Sequence, residues 1–535
     1  MKKYIIGVSL IGLFIAGFLY YGKIQQVLKE DQYSQFLICN NLDQINNQMV
    51  YPDLIDKDKT KKFYKKFCEN SKALPWLDED LNLTTNNSQL IEGIKLSFDH
   101  GLDSESYHLE KIQKQIKDFA PHKYLTPQEK AKFANIIDVY STDAYLALFD
   151  DSYHGITDWN KFKKLQYSYA QELAIKKQEE KRLKLLEMNI TDQTPEEEKI
   201  RKFEWEKPQK ALLDENIYLI DNLKNQAIFE SLKSLHPKFK EYNRFVEALK
   251  NFREQKATNN IHKIILNMER FRWLTKNYEE SEKAVVVNIP SFKMQVVEFG
   301  DVAWDMRVIV GKPERPTPIL EGSLTYATLN PYWTAPETII KEDIVKKNDV
   351  IGYIKSHNMK VFNVKNKTPV NAEDINWSVY KDRKDIPFIF RAEPGIDNPL
   401  GELKFTFPNK YSVYMHDTNH REFFKYDYRA FSSGCVRLKE PKKLLGYFLG
   451  KNEDINLTKL NTENKPEMGL NLKIEVPIVF KYMTVSIDKQ NQISYYEDIY
   501  GYDLTNMKSM NGSEKLFGIK SAKGVDNALW KNTKE

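Results

Sequence analysis

Cysteine is scarce in this chain, with 3 residues in 535. That rules out a fold held mainly by a dense disulfide framework. Charge of one sign is lacking too. The 80 basic and 75 acidic side chains nearly cancel, leaving a formal charge of +5. No basic stripe of the kind that tracks a phosphate backbone stands out, so nucleic acid is not an expected partner. There is no internal repeat, no P-loop and no dinucleotide-binding glycine fingerprint. What the chain does have is apolar substance, 41% hydrophobic and 13% aromatic. A packed interior follows, and at this length two or three domains are expected rather than one.

Lys2 and Lys3 precede an uncharged run, "YIIGVSLIGLFIAGFLYY", from Tyr4 to Tyr21. It is long enough to span a bilayer, and no small-residue cleavage site follows it. No cysteine lies near its end, so lipoprotein processing is not indicated. The reading is an uncleaved anchor in the inner membrane, with a removed signal peptide as the alternative. Either way the positive-inside rule exports the rest, and the expected location is the periplasm. In such a compartment Cys39 and Cys68 pair as a disulfide or remain as two buried thiols. Cys435 is left odd, and an odd exported cysteine is an intermolecular bridge or a reactive thiol.

Residues 24–255 read as a helical scaffold domain. In "NSQLIEGIKLSFDHGL", Leu90, Ile91, Ile94 and Leu96 fall at helical spacing, with a stop at His100-Gly101. Thr126 and Glu129 form a capping box with Pro127 at the first helical position. The mixed-sign run near 160–210 reads as a solvated helix surface, and "KATNN" (256–260) as a linker. From 260 to 505 a helix, "IHKIILNMERFRWL", gives way to short β-branched and aromatic strands, including "KAVVVNI", "WDMRVIVG", "LKFTF" and "YSVYMH". Residues 337–360 read as a helical insertion capping a site. Residues 506–535 read as a polar tail. The fold class expected is multidomain α+β: a membrane-anchor helix (1–23), the scaffold, and a β-rich catalytic domain with its cap.

The chemistry concentrates in "YMHDTNHREFFKYDYRAFSSGCVR", Tyr414 to Arg437. A free thiol is mostly protonated at neutral pH, and an imidazole that takes its proton removes that limit. His416 and Cys435 are nineteen residues apart, enough for a strand, a crossing loop and a return. Gly434 lets the backbone approach a substrate carbonyl, so the Gly434 and Cys435 amides are candidates for an oxyanion hole. Taken alone, a cysteine in a Ser-Gly loop is more often structural. A metal site built on His416, His420, Asp417, Asp427 and Cys435 lacks a second cysteine or a third histidine, and an i,i+4 histidine pair needs a helix. No metal or other cofactor is expected, and His420 reads as an exposed polar residue.

Several segments in order resemble the L,D-transpeptidases with a YkuD-type catalytic domain, in particular a large scaffold-bearing subgroup of Gram-negative envelopes. They are "NMERFRWL", "VNIPSFKMQVVEFG", "MRVIVGKPERPTP", "LNPYWTAPETII", "AEPGIDNPLGELKFTFPN", "YMHDT", "RAFSSGCVRL" and "FKYMTVSIDKQNQISYYEDIYGYD". Fainter likeness extends into the helical half. The resemblance implies Cys435 as nucleophile, His416 as base and Gly434 as the loop glycine. Ser433 stands where many members carry a second histidine. It further implies peptide stems of peptidoglycan as donor and acceptor, with Arg437 receiving a stem carboxylate and the Asp417 carbonyl orienting the imidazole. Tyr414 and Trp333, with Tyr332, are expected to line the site or to pack in the core. A carboxypeptidase and a non-catalytic wall-binding scaffold remain as alternatives.

Overall fold

The computed structural model describes residues 36–187, 210–450 and 467–517, apart from a few short gaps. The expected anchor at residues 4–21 lies outside them. Among the described residues no helix is long and apolar enough to cross a membrane.

The first half is helical because its apolar residues recur on single faces and its ends are capped locally. Helices run over Lys57–Cys68, Thr85–Asp99, Leu109–Phe119, Pro127–His154, Trp159–Glu187, Glu215–Lys224, Ile228–Ser234, Lys240–Glu254 and Thr258–Arg272. The Thr126 hydroxyl accepts the Glu129 N–H, and the Glu129 carboxylate accepts the Thr126 N–H at 2.9 Å. Cys39 and Cys68 form a disulfide that ties the turn Ile38–Asn40 to the end of the first of these helices. Closing a loop of this length is worth roughly 3–4 kcal/mol on the chain-entropy model. The supposed linker at 256–260 is shorter than read, since Thr258 already begins a helix whose residues from Lys263 to Arg272 are all buried.

Fifteen strands follow among the described residues. They are β1 (Lys283–Asn288), β2 (Lys293–Glu298), β3 (Asp301–Gly311), β4 (Leu320–Leu329), β5 (Trp333–Thr334), β6 (Met359–Asn363), β7 (Pro369–Val370), β8 (Phe388–Ala392), β9 (Leu403–Thr406), β10 (Met415–His416), β11 (Ala430–Ser432), β12 (Val436–Leu438), β13 (Met468–Lys481), β14 (Val485–Ile487) and β15 (Ile493–Tyr495). Nine of them form one sheet in the order β11-β3-β12-β10-β9-β4-β13-β1-β2, and a β2–β3 pairing closes the ring.

The apolar run in β1 has a direct cause. Val285 and Val287 point into the core enclosed by the closed sheet, while Ala284 and Val286 point into the core shared with the helices. In β13, Ile478 and Phe480 face the first core and Val479 the second. A strand buried on both faces loses its polar alternation, so the helical half and the sheet are joined through apolar packing.

Two expectations need correction. The cap is larger than the helical segment 337–360. Helical turns at Glu337–Ile344 and Val350–Ser356 are joined by a second, four-stranded sheet, β5-β8-β6-β7, with its own core from Trp333 to Leu400. Its strands are as short as two residues, so no alternating pattern announces them. The polar tail also starts later than 506. The helix Tyr502–Ser509 is mostly buried, with Met507, Ser509 and the following Met510 inside, and Tyr502 packs edge-on against Phe162 and at a tilt against Tyr482.

Candidate active site

The loop that carries Cys435 hangs between two strands that both pair with the end of β3. β11 runs parallel to it (Ala430↔Val310, Ser432↔Gly311), and β12 runs antiparallel (Arg437↔Ile309, Leu438↔Val308). Reversing direction within Ser433-Gly434-Cys435 needs a residue in the left-handed region, and Gly434 has φ +115°. Ser432 Oγ accepts the Gly434 N–H (3.2 Å) and donates to the Cys435 carbonyl (2.5 Å). From beneath, Thr317 Oγ1 donates to the Gly434 carbonyl (2.8 Å) and accepts the Gly311 N–H (2.8 Å). The Tyr500 hydroxyl donates to the Gly311 carbonyl (2.6 Å) and accepts the Thr317 N–H (3.1 Å). The segment "GKPERPTP" thus forms the bed of the loop. One expectation changes here. The Gly434 amide is already engaged, so of the two amides proposed for an oxyanion hole only that of Cys435 is free among the described residues.

A cavity of about 130 Å³ opens over the loop. It brings together Cys435, His416, Ser433, Arg437, Tyr414 and Trp333, with Arg315 beside them. Tyr414 lies two residues before His416 in the chain. The strand is only Met415–His416, since residues 411–414 do not pair as a ladder, yet the two rings lie 5.5 Å apart. Tyr332 is not in the cavity wall, and its ring carries the Arg391 guanidinium instead. Asp417 is also absent from this wall. Adjacent strand residues face opposite ways, and its carboxylate accepts Arg421 (2.6 Å) and the Glu402 N–H (3.1 Å) beside a wider surface cavity of about 1110 Å³. That wider cavity contains neither the thiol nor the imidazole.

The electrostatics around the thiol are cationic. Burial pushes the Cys435 thiol above its ordinary pKa, against hydrogen bonding from the Tyr414 backbone and phenol and the positive charges of Lys404 and Arg437. Burial, then Arg437 and more weakly Lys404, hold the His416 ring down to about 3. The Asp417 backbone opposes this slightly, yet His416 Nδ1 is buried without a hydrogen bond of ordinary geometry. The pair therefore share a cavity without a formed proton-transfer hydrogen bond, a contact that catalytic groups often complete only when substrate binds. A kinetic expectation follows. With a base that stays neutral well below pH 6, kcat/KM should be flat from pH 7 to pH 5 on its acid side. An ordinary histidine would lower it about 30-fold at pH 5. A pH–rate profile checks this, and an acid limb near 6.5 would contradict it.

Three residues escaped the sequence reading. Thr317 and Arg315 lie in a segment singled out only for its resemblance, and Lys404 looked like an ordinary strand lysine. Arg315, 7% exposed, donates to Ser433 Oγ (3.2 Å) and to Glu342 (2.8 Å) and Asp343 (2.9 Å) of the cap. It pins the cap to the Cys435 loop. The signal for Lys404 is register. Lys404↔His416 and His416↔Arg437 are paired positions across β9, β10 and β12.

Cys435 and His416 thus face one small cavity on the closed sheet, beneath the cap. Residues 282–454 match the family model described as the L,D-transpeptidase catalytic domain, YkuD, and residues 58–249 match a scaffold domain. Residues 282–454 thus form a catalytic domain of the YkuD L,D-transpeptidase type. A Haemophilus influenzae protein named "Putative L,D-transpeptidase" is 30% identical over 285 residues, covering 52% of this chain and 56% of that protein. The chain thus spans a little over half the length of this relative.

Proposed function

We propose that the protein is a peptidoglycan L,D-transpeptidase that joins the third residues of two peptide stems. The observation that carries the reading is Cys435 and His416 in one cavity on a braced loop within a YkuD-type domain. Neutral His416 takes the Cys435 proton, and the thiolate attacks the carbonyl of the third stem residue. The Cys435 N–H faces the developing oxyanion. The C–N bond breaks, D-alanine leaves with the proton returned by His416, and a thioester remains. The side-chain amine of a second stem attacks the thioester, forming an amide and releasing the thiol. In this reading Arg437 receives a stem carboxylate, supported by its Nε, which is buried without a hydrogen-bond partner. Water as acceptor would make the protein an L,D-carboxypeptidase.

The proposed setting is the periplasm, with residues 4–21 anchoring the chain in the inner membrane. The Cys39–Cys68 disulfide supports an oxidising compartment. The test is incubation of the purified protein with tetrapeptide muropeptides, followed by mass spectrometry. Transfer gives a dimer one water lighter than a trimmed stem plus its acceptor. Trimmed monomers alone would assign hydrolysis. No product of either kind would leave the wall-binding scaffold as the reading.

A further inference from the structure

Phe431 sits on β11 between Ala430 and Ser432, which are both buried, so its ring points to the outer face of the closed sheet. His416 and Arg437 share that face, since their strand neighbours Met415, Val436 and Leu438 lie in the enclosed core. The Phe431 ring meets those of Phe423 (5.3 Å between centroids), Tyr426 (6.3 Å) and Tyr428 (5.9 Å). Tyr426 is 46% exposed, and Tyr428 and Phe431 are 39% exposed each. Single exposed rings need no explanation, but a contiguous cluster of them marks a binding surface. The loop that carries these rings is held from beneath. Buried Arg429 donates to the carbonyls of Phe292 (2.9 Å), Val308 (3.0 Å), Tyr426 (2.7 Å) and Asp427 (3.0 Å). Arg307 adds bonds to the Tyr426 carbonyl (3.1 Å) and the Asp427 carboxylate (2.7 Å). A ligand therefore meets rings on a fixed backbone and spends little on ordering them.

We propose that Phe431, Tyr426 and Tyr428 form a saccharide platform for the amino sugar from which the donor stem hangs, so that stems still attached to glycan are selected. The inference rests on the transpeptidase reading and adds a sugar subsite to it. Size and charge favour this occupant. At about 200 Å² for a whole aromatic side chain, the exposed fractions leave about 250 Å² of ring surface. A stable protein interface buries about 800 Å² on each side, so the patch is too small for a folded partner. The rim carries Arg307 beside the fully exposed Asp427, a mixed pair that does not suit an anionic lipid surface. A pyranose has an apolar C–H face for the rings and hydroxyls for such a rim. The distance fits as well. β11 is two strands from β12 and three from β10. At about 4.8 Å per strand, the platform lies about 10 Å from the strand of Arg437 and about 14 Å from that of His416. In peptidoglycan the stem joins the glycan through its first residue. Three residues, at most about 11 Å when extended, then separate the sugar from the carbonyl under attack, and the two spans match to within one residue.

The test gives the full chain a free tetrapeptide donor and the same tetrapeptide carried on its disaccharide, and follows release of D-alanine by mass spectrometry. The wild-type protein is expected to use the glycosylated donor with a kcat/KM about tenfold higher, mainly through KM. Phe431→Ala and Tyr426→Ala should each remove most of that preference and leave the free tetrapeptide nearly unaffected, while Phe431→Tyr should retain it. Equal use of both donors by the wild type would overturn the inference. So would an alanine variant that slows both donors alike, which would assign the rings to the shape of the Cys435 loop. A wild-type dimer in sedimentation that Phe431→Ala dissociates would also overturn it, assigning the rings to a second copy of the chain. If the wild type turns over neither donor, the transpeptidase reading fails, and titration of both compounds into Cys435→Ala decides the platform separately. A Kd lower by about fivefold or more for the glycosylated compound would support the platform, and equal values would refute it.

Discussion

Cys435→Ala is expected to abolish acyl transfer, lowering turnover of a tetrapeptide stem by a factor on the order of 10⁴ or more, the loss seen when a covalent nucleophile is removed. The reasoning is chemical rather than steric. Without the sulfur no thioester forms, and the chain supplies no other thiol, since Cys39 and Cys68 are bonded to each other. The variant should still fold. The bonds that brace the loop backbone run from Ser432 to Gly434 and Cys435 and from Thr317 to Gly434, so losing the sulfur forfeits only its hydrogen bonding from Tyr414. Intact mass after a brief exposure to donor reads the result directly. The wild-type protein should gain an acyl group corresponding to the stem without its last residue, and the variant should gain nothing. Release of D-alanine by purified Cys435→Ala at the wild-type rate would remove the thiol from the mechanism.

How much of this site can be read from sequence depends on the range of the forces involved. The capping box at Thr126 and the β-branched run of β1 are legible because their causes lie within a few residues. So is Gly434, where a tight reversal requires a positive φ. The cap's four-stranded sheet is not legible, since β5 and β7 have two residues each and exist only through pairing with β8 and β6. The row Lys404–His416–Arg437 is hidden for the same reason. Each residue belongs to a different strand, and only register brings them side by side. Arg315 reads as a turn cation until the fold places Glu342, Asp343 and Ser433 around it.

The helix motif "NMERFRWL" is the sharpest case, because its three charges suggest a solvated face while the structure buries them all. Glu269→Ala is accordingly expected to cost about 3–5 kcal/mol, the usual consequence of leaving one partner of a buried pair uncompensated. Glu269 is fully buried and acts as a hub. One carboxylate oxygen accepts the Thr157 N–H (3.0 Å), the Thr157 hydroxyl (2.7 Å) and Trp273 Nε1 (3.2 Å), and the other pairs with Arg272 (3.2 Å). Arg272 in turn donates to the His100 carbonyl at the end of helix Thr85–Asp99. Removing the carboxylate strands a buried guanidinium and three buried donors where three helices meet. Glu269→Gln keeps the acceptor and loses the charge, so it should fall between wild type and alanine. Breaking the exposed pair Lys355–Glu373 in the cap should leave stability unchanged within error. Denaturant midpoints at constant m-value separate these cases. An alanine variant within 1 kcal/mol of wild type would mean that the junction between scaffold and catalytic sheet is held by apolar packing alone, and that the buried charges serve only to fix which helix faces meet.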